Sequence, residues 1–262
     1  MELSWQVILG IFFPFLMTSL GASAVFLFKN KISQSVQSIF LGFAAGVMIA
    51  ASIFSLLLPA MEEADALGKS GITIASIGFL AGALFLTVLD LFMPHLHLNT
   101  DEPEGVKTSW DKTILLMLAV TLHNVPEGMA VGLTFALAMQ HGDPLSLAAA
   151  FALALGMGIQ NFPEGAAISL PLKSQGMSNQ KSFLWGSLSG AVEPIFAFLA
   201  LFIANVLSNW MPFLLSFSAG AMMFVTVEEL IPEAQTQSHS HYATYGILIG
   251  FVLMMVFDVV LG

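Results

Sequence analysis

The chain has 262 residues, of which 57% are hydrophobic and only 9% are charged, and its mean hydropathy is +0.87. These values exclude an ordinary soluble globular domain and favour a protein that lies in a lipid bilayer. The formal net charge of −10 is not the signature of a nucleic-acid-binding protein, and the absence of cysteine excludes disulfides and thiolate metal ligands.

Apolar segments of about 20 residues, which is the length needed to cross a bilayer, follow one another along the chain. The sequence predicts eight such helices, at 5–28, 36–60, 72–93, 113–139, 145–171, 183–207, 212–235 and 243–262. The first segment lacks a basic region and a cleavage site of small residues, so we interpret it as a helix and not as a signal peptide. The short connections predict an all-α polytopic membrane protein with a single transmembrane domain over residues 1–262.

The basic residues indicate how the helices are oriented. All seven are lysines, and only Lys69 falls in an even-numbered loop. The other six lie near the loops that follow helices 1, 3 and 5: Lys29, Lys31, Lys107, Lys112, Lys173 and Lys181. Because positively charged loops stay in the cytoplasm, we predict a multi-pass protein of the cell (inner) membrane with both termini outside the cytoplasm.

A weak internal repeat relates helix 2 to helix 7. Helix 2 contains AAGVM and ends with LLPAMEEA, while helix 7 contains SAGAM and ends with LIPEA. Helices 3 and 8 each carry one late aspartate, Asp90 and Asp258. The pattern favours an inverted repeat in a 3+2+3 arrangement, which is typical of transporters with a site near the bilayer midplane. Chance similarity between helices rich in Ala, Gly and Met is the alternative.

One polar motif occurs twice, as HNVPEG from His123 in helix 4 and as QNFPEG from Gln160 in helix 5. Residues four apart share one face of a helix, so each copy presents its first residue together with a glutamate, Glu127 or Glu164. Two asparagines flank these positions: Asn124 and Asn161. The motif prolines cannot donate backbone hydrogen bonds, which leaves spare carbonyl acceptors and favours kinks.

Carboxylates inside a membrane need a compensating partner, because each costs about 2.5–3.5 kcal/mol when it has none. No lysine or arginine lies in the predicted interior of the helices, and Glu193 in helix 6 adds a further acid. A divalent cation would compensate them, and imidazole, amide and carboxylate donors suit Zn²⁺ or a neighbouring first-row metal. The alternative is that these groups only form hydrogen bonds between helices.

With these motifs the sequence resembles a prokaryotic member of the ZIP (Zrt/Irt-like) family of divalent metal transporters, over essentially the whole chain. The resemblance implies a primary metal site formed by His123, Glu127, Gln160 and Glu164. Met48 of helix 2 would be a neighbour of this site. It also implies an adjacent second site, bordered by Asn124, Asn161 and Glu193 and bridged by Glu127 and Glu164. The chain departs from some relatives at two positions: Asn161 replaces an aspartate, and Glu228 replaces a histidine.

We therefore expect a carrier that moves Zn²⁺ into the cytoplasm by alternating exposure of the site on helices 4 and 5, with a channel-like path as the alternative. Fe²⁺, Mn²⁺ and Cd²⁺ are further candidate substrates. No organic cofactor, enzymatic activity or nucleic-acid partner is expected, and a homodimer is left open. The main rival is an intramembrane metal-dependent hydrolase, which fits poorly because His123 is the only histidine deep in a predicted helix. A purely structural helix bundle is the third interpretation.

The remaining polar residues carry weaker expectations. Three acids near the end of helix 7 could relay an ion or be ordinary interfacial carboxylates: Glu228, Glu229 and Glu233. Four loop histidines could collect released metal or simply be solvated: His95, His97, His239 and His241. Asp65 and Asp258 are expected near the outer face. His141, in the short turn between helices 4 and 5, has no role assigned by the sequence.

Overall fold

The computed structural model describes residues 4–27, 33–93, 112–174, 176–235 and 240–261. His95, His97 and His239 lie outside the described residues, so their expected role has no structural test. The described residues form eight long helices and contain no strand. Seven of the helices are long and apolar enough to cross a membrane. The eighth, which carries HNVPEG, has 30 residues and is therefore also long enough. The predicted all-α polytopic membrane fold is confirmed.

We number the helices along the chain. They are α1 (Trp5–Leu27), α2 (Gln34–Ala66), α3 (Gly71–Phe92), α4 (Lys112–His141), α5 (Pro144–Ser174), α6 (Asn179–Val206), α7 (Ser208–Ala234) and α8 (Tyr242–Leu261). Serine side chains cap the starts of α1, α2 and α6, where Ser4, Ser33 and Ser178 accept hydrogen bonds from backbone N–H groups three residues later. The largest difference from the predicted boundaries is at α2, which continues to Ala66 and not to residue 60.

Both α2 and α7 contain a short π-helical segment immediately before a proline-containing turn. The segments are Ser52–Leu57 and Thr226–Leu230, and the helices resume at Leu58–Pro59 and Ile231–Pro232. Proline lacks the N–H that an α-helical ladder needs, and a π turn is one way to rearrange the carbonyls that lose this donor. The wider turns also shift which side chains face the interior.

The closest helix pairs are α2 with α8, α3 with α7, α1 with α5, and α4 with α6. In a 3+2+3 repeat, α1, α2 and α3 correspond to α6, α7 and α8, and α4 corresponds to α5. The pair α2–α8 then corresponds to α7–α3, and the pair α1–α5 corresponds to α6–α4. This is the pairing that the 3+2+3 repeat requires. The pairing supports the repeat, while its inverted symmetry and the single-domain assignment stay predictions.

Candidate metal-binding site

The two copies of the motif face the interior of the helix bundle. The sequence predicted seven polar ligands here, namely six side chains of the motif and Glu193. All of them except Glu164 are at most 7% exposed: His123, Asn124, Glu127, Gln160, Asn161 and Glu193. Glu164 is partly buried, but its Oε1 atom is shielded from solvent and has no hydrogen-bond partner in the described structure. Asn124 Oδ1 is also buried without a partner. Two buried acceptors without donors therefore lie on the motif side chains.

The glycine that ends each motif copy brings its helix into backbone contact with a neighbour. A Cβ atom added at Gly128 would overlap the backbone of Glu193 on α6, and one added at Gly165 would overlap the carbonyl oxygen of Thr18 on α1. Glycine is therefore required at both positions for close approach. The contact at Gly128 explains how Glu193, from a third helix, comes to lie beside the two motif copies.

Hydrogen bonds connect the motif copies to each other and to α6. Gln160 Nε2 donates to Glu127 Oε2 at 2.8 Å, and Gln160 Nε2 also contacts Asn161 Oδ1. Asn161 Nδ2 donates to Glu193 Oε2 at 2.7 Å, and the Thr18 hydroxyl donates to Glu193 Oε1 at 3.4 Å. The carboxylates of Glu127 and Glu193 thus each receive at least one hydrogen bond from an uncharged donor, which partly offsets the cost of their burial.

Asn124 points toward α6 as well. Its Nδ2 atom donates to the backbone carbonyl of Ser189 at 2.9 Å, next to the break in α6 at Gly190 and Ala191. A third contact between helices comes from Ser218 on α7, whose hydroxyl donates to the carbonyl of Pro126 at 3.2 Å. The motif is therefore held by side-chain bonds to α6 and α7.

His123 contacts a residue that the sequence did not single out as a ligand. Its Nε2 atom contacts Glu229 Oε2 on the π-helical segment of α7, and Glu229 is 4% exposed. Glu228, one residue earlier, is exposed. The position of Glu229 inside an apolar span could have marked it as a buried acid. Normal helical spacing could not distinguish it from Glu228, however, because the π turn changes which side chains face the interior.

Met48 is fully buried on α2 and belongs to the main hydrophobic core together with Met157 and Met222. Among the described residues no group of three His, Asp or Glu side chains is arranged to hold a metal ion. Among the candidate ligands, Glu127 and Glu193 accept hydrogen bonds from amide groups, and His123 contacts Glu229. Metal binding would require several of these bonds to be exchanged for metal–ligand bonds.

Asp65 and Asp258, which the sequence predicted near the outer face, have local structural partners. Asp65 Oδ1 accepts a hydrogen bond of 2.8 Å from the backbone N–H of Gly71, which closes the turn between α2 and α3. Asp258 Oδ1 accepts a bond of 2.7 Å from the Ser55 hydroxyl, so this aspartate ties α8 to the π-helical segment of α2. His241 is exposed before α8, where its ring packs edge-on against Tyr245.

Comparison with known proteins identifies the family. Residues 97–258 match the sequence model of the ZIP Zinc transporter family. The chain is 37% identical to zinc transporter GufA of Myxococcus xanthus, with 94% of each protein covered. It is 37% identical to zinc transporter ZIPB of Bordetella bronchiseptica, covering 97% of this chain and 81% of that protein. It is 34% identical to human zinc transporter ZIP11, with 98% of each covered. These relatives are transporters and not enzymes, which removes the basis for the hydrolase interpretation, and the chain belongs to the ZIP family.

Proposed function

We propose that this ZIP family member carries Zn²⁺ across the cell (inner) membrane into the cytoplasm through an intramembrane site on α4 and α5. Divalent metal transport follows from the family, and the named activity of the relatives favours zinc as the substrate. Fe²⁺, Mn²⁺ and Cd²⁺ remain further candidate substrates, and no organic cofactor is part of the proposal. The inward direction follows the expectation from the family resemblance, and the lysine distribution predicts that both termini lie outside the cytoplasm.

The observation that carries the proposal is the hydrogen bond between the two motif copies. Gln160 and Glu127 come from different helices, 33 positions apart in the chain, yet their side chains meet at 2.8 Å in the buried interior. Metal-binding atoms from both motif copies can therefore reach one ion. We assign the primary site to His123, Glu127, Gln160 and Glu164, with Met48 as a neighbour on α2.

The charge balance of the site supports a cationic substrate. Glu127 and Glu193 are each 2% exposed, and Glu229 is 4% exposed. His123 is the one basic side chain for which the structure describes a contact with this group. A divalent ion between the carboxylates would supply the missing positive charge, and its loss of hydration would be offset by oxygen and nitrogen ligands.

A second ion position would lie toward α6, bordered by Asn124, Asn161 and Glu193 and bridged by Glu127 and Glu164. The 2.7 Å bond from Asn161 to Glu193 shows that these side chains are within reach of one another. Since both asparagines are neutral, we propose that this position binds its ion only weakly.

The contact between His123 and Glu229 gives the site a connection to α7. If His123 binds the metal through Nε2, the nitrogen that contacts Glu229, it must leave Glu229, so loading of the site and the packing of the π-helical segment would be linked. We propose that this linkage contributes to the alternating exposure of the site, because α2 and α7 both contain a π segment beside a proline, where helix geometry can change at low cost.

The test is Zn²⁺ uptake into proteoliposomes by the wild-type protein, Glu127→Ala and Glu164→Ala. We expect uptake to be abolished in both variants while size-exclusion chromatography shows folded protein. Phe162→Ala is the matched control, because Phe162 lies within the QNFPEG motif but is 38% exposed. Wild-type uptake by a folded glutamate variant would contradict the proposed site.

A further inference from the structure

A cavity of about 360 Å³ opens at the end of the bundle where α4 ends and α5 begins. Its walls come from α2, α4, α5 and α8, and its lining among the described residues includes no lysine or arginine. Its titratable lining residues are Glu62, Glu63, His141 and Asp258. In the proposed orientation this end faces the outside of the cell. The cavity is therefore an acidic recess on the side from which the substrate arrives.

The recess extends toward the intramembrane site. Thr134 lines it on α4 and lies seven residues after Glu127, which is roughly 10 Å along the helix axis at 1.5 Å per residue. Asp258 lines the recess from α8, and its Oδ2 atom is buried with no hydrogen-bond partner among the described residues. A cation that entered the recess would thus meet further negative charge on its way inward.

At the rim of the recess, His141 joins three helix ends. Its Nε2 atom lies 2.7 Å from Glu63 Oε1 near the end of α2, and its Nδ1 atom lies 3.1 Å from the hydroxyl of Ser146 at the start of α5. Asp143 Oδ2 is 4.0 Å from the same Nδ1. The side chains of His141 and Glu63 are 41% and 23% exposed, so an ion in solution can reach them.

Asp143 is held beside the imidazole by the start of α5. Its Oδ1 atom accepts hydrogen bonds from the backbone N–H groups of Leu145 and Ser146, both at 2.9 Å, and its Oδ2 atom accepts one from the Ser146 hydroxyl at 2.6 Å. These three hydrogen bonds fix the position of the carboxylate next to His141. A fixed negative charge therefore accompanies His141.

We propose that His141 and Glu63, with Asp143 beside them, form a rim site that binds a divalent transition-metal cation before it enters the recess. This inference uses the substrate and the orientation of the proposed function. An imidazole nitrogen and a carboxylate oxygen are ligands that Zn²⁺ prefers, at about 2.0–2.2 Å from the metal. Two such atoms around a tetrahedral ion are roughly 3.3 Å apart, so Nε2 and Oε1 need to separate only slightly from their present 2.7 Å.

The rim site would bind its ion weakly and exchange it readily, so that a captured ion could move on into the recess. Only two protein ligands are in place, the remaining positions would be filled by water, and the site is open to solvent. The competing explanation is that His141 and Glu63 form a surface ion pair that ties α2 to α4 and does not bind metal.

Equilibrium dialysis against Zn²⁺ alone distinguishes the two explanations. The full-length protein would carry Glu127→Ala and Glu164→Ala, which remove two ligands of the intramembrane site, so that the result does not depend on transport. We expect this background to retain one weak Zn²⁺ site. Adding His141→Ala or Glu63→Gln should weaken that site about tenfold or more, because even outer-shell changes weaken metal sites by 10–100-fold.

Glu62→Gln is the matched control, since it removes the same charge from the adjacent residue in the same recess. We expect Glu62→Gln to weaken Zn²⁺ binding by less than about threefold, because Glu62 is a nearby charge and not a ligand. An equal effect of Glu62→Gln and Glu63→Gln would overturn the proposal in favour of general attraction by negative charge. The absence of any Zn²⁺ binding that depends on His141 would overturn it as well.

In the otherwise wild-type protein, His141→Ala should raise the KM for Zn²⁺ uptake about threefold or more and leave the maximal rate unchanged, because only the capture step is affected. A fall in maximal rate with unchanged KM would contradict the capture role. Failure of the proposed function would instead appear as uptake that persists in Glu127→Ala, whatever the dialysis shows.

Discussion

The imidazole of His123 on α4 contacts the carboxylate of Glu229 on α7, and both side chains are buried. The pair joins a proposed metal ligand to a residue that lies 106 positions later in the chain. Since one nitrogen cannot serve both Glu229 and a metal ion, the contact competes with metal binding through Nε2.

We expect Glu229→Gln to tighten Zn²⁺ binding, because the substitution weakens the metal-free pair and costs the metal-bound state less. A gain of about tenfold in affinity corresponds to about 1.4 kcal/mol, which is well within the range for a buried charged contact. Isothermal titration of the purified protein measures the affinity, with Glu228→Gln as the control because Glu228 is exposed. Weaker binding by Glu229→Gln would contradict the competition and would show that Glu229 supports the metal, either as a ligand or by orienting His123 for binding through Nδ1.

A second expectation separates charge from shape at the primary site. Glu127→Gln keeps the side-chain volume and can still form a hydrogen bond with Gln160, but it removes the negative charge. If the carboxylate acts on the ion by electrostatics, Zn²⁺ uptake should fall about 100-fold or more. Initial uptake rates in proteoliposomes provide the measurement, and Gln160→Glu, which adds charge on the partner, provides the comparison. Uptake by Glu127→Gln within about twofold of wild type would mean that packing and not charge explains this residue.

A third expectation concerns the glycine at the end of the first motif copy. Gly128→Ala should destabilise the protein by about 1–3 kcal/mol, because the new methyl group overlaps the backbone of Glu193 and forces α4 away from α6. Thermal unfolding in detergent measures the effect, and Met129→Ala, at a partly buried neighbouring position, controls for alanine in this helix. Unchanged stability of Gly128→Ala would show that the two helices can separate without cost.

The sequence predicted the helices well because the length and apolar character of a membrane span are local properties. Residues four apart share a helix face in any α-helix, so the pairing of His123 with Glu127 could be expected without knowledge of the fold. Glu229 could not be selected in the same way, because a π turn before Pro232 alters the register and the partner comes from a distant helix. The contact of His141 with Glu63 was equally inaccessible, since it joins two helix ends that no sequence periodicity relates.

The final expectation concerns Asn161, where some relatives carry aspartate. Asn161 Nδ2 donates to Glu193 Oε2 at 2.7 Å, so the amide stabilises the carboxylate without a metal ion. In Asn161→Asp this donor becomes a second carboxylate at the same distance, and the two negative charges repel each other strongly in a buried setting. A cation between them would relieve the repulsion. We therefore expect one tightly bound Zn²⁺ per wild-type chain and a second one in Asn161→Asp.

The matched control exchanges the two groups. Asn161→Asp combined with Glu193→Gln keeps the net charge of the wild type and restores an amide beside a carboxylate, so the bound metal should return to one ion per chain. Equilibrium dialysis with elemental analysis measures all three proteins at the same free Zn²⁺ concentration. Two equally tight ions in the wild type, or a stoichiometry that Asn161→Asp leaves unchanged, would contradict the role assigned to this asparagine. If the exchange variant instead keeps the second ion, the aspartate at position 161 binds it without Glu193, and the second site does not extend to α6.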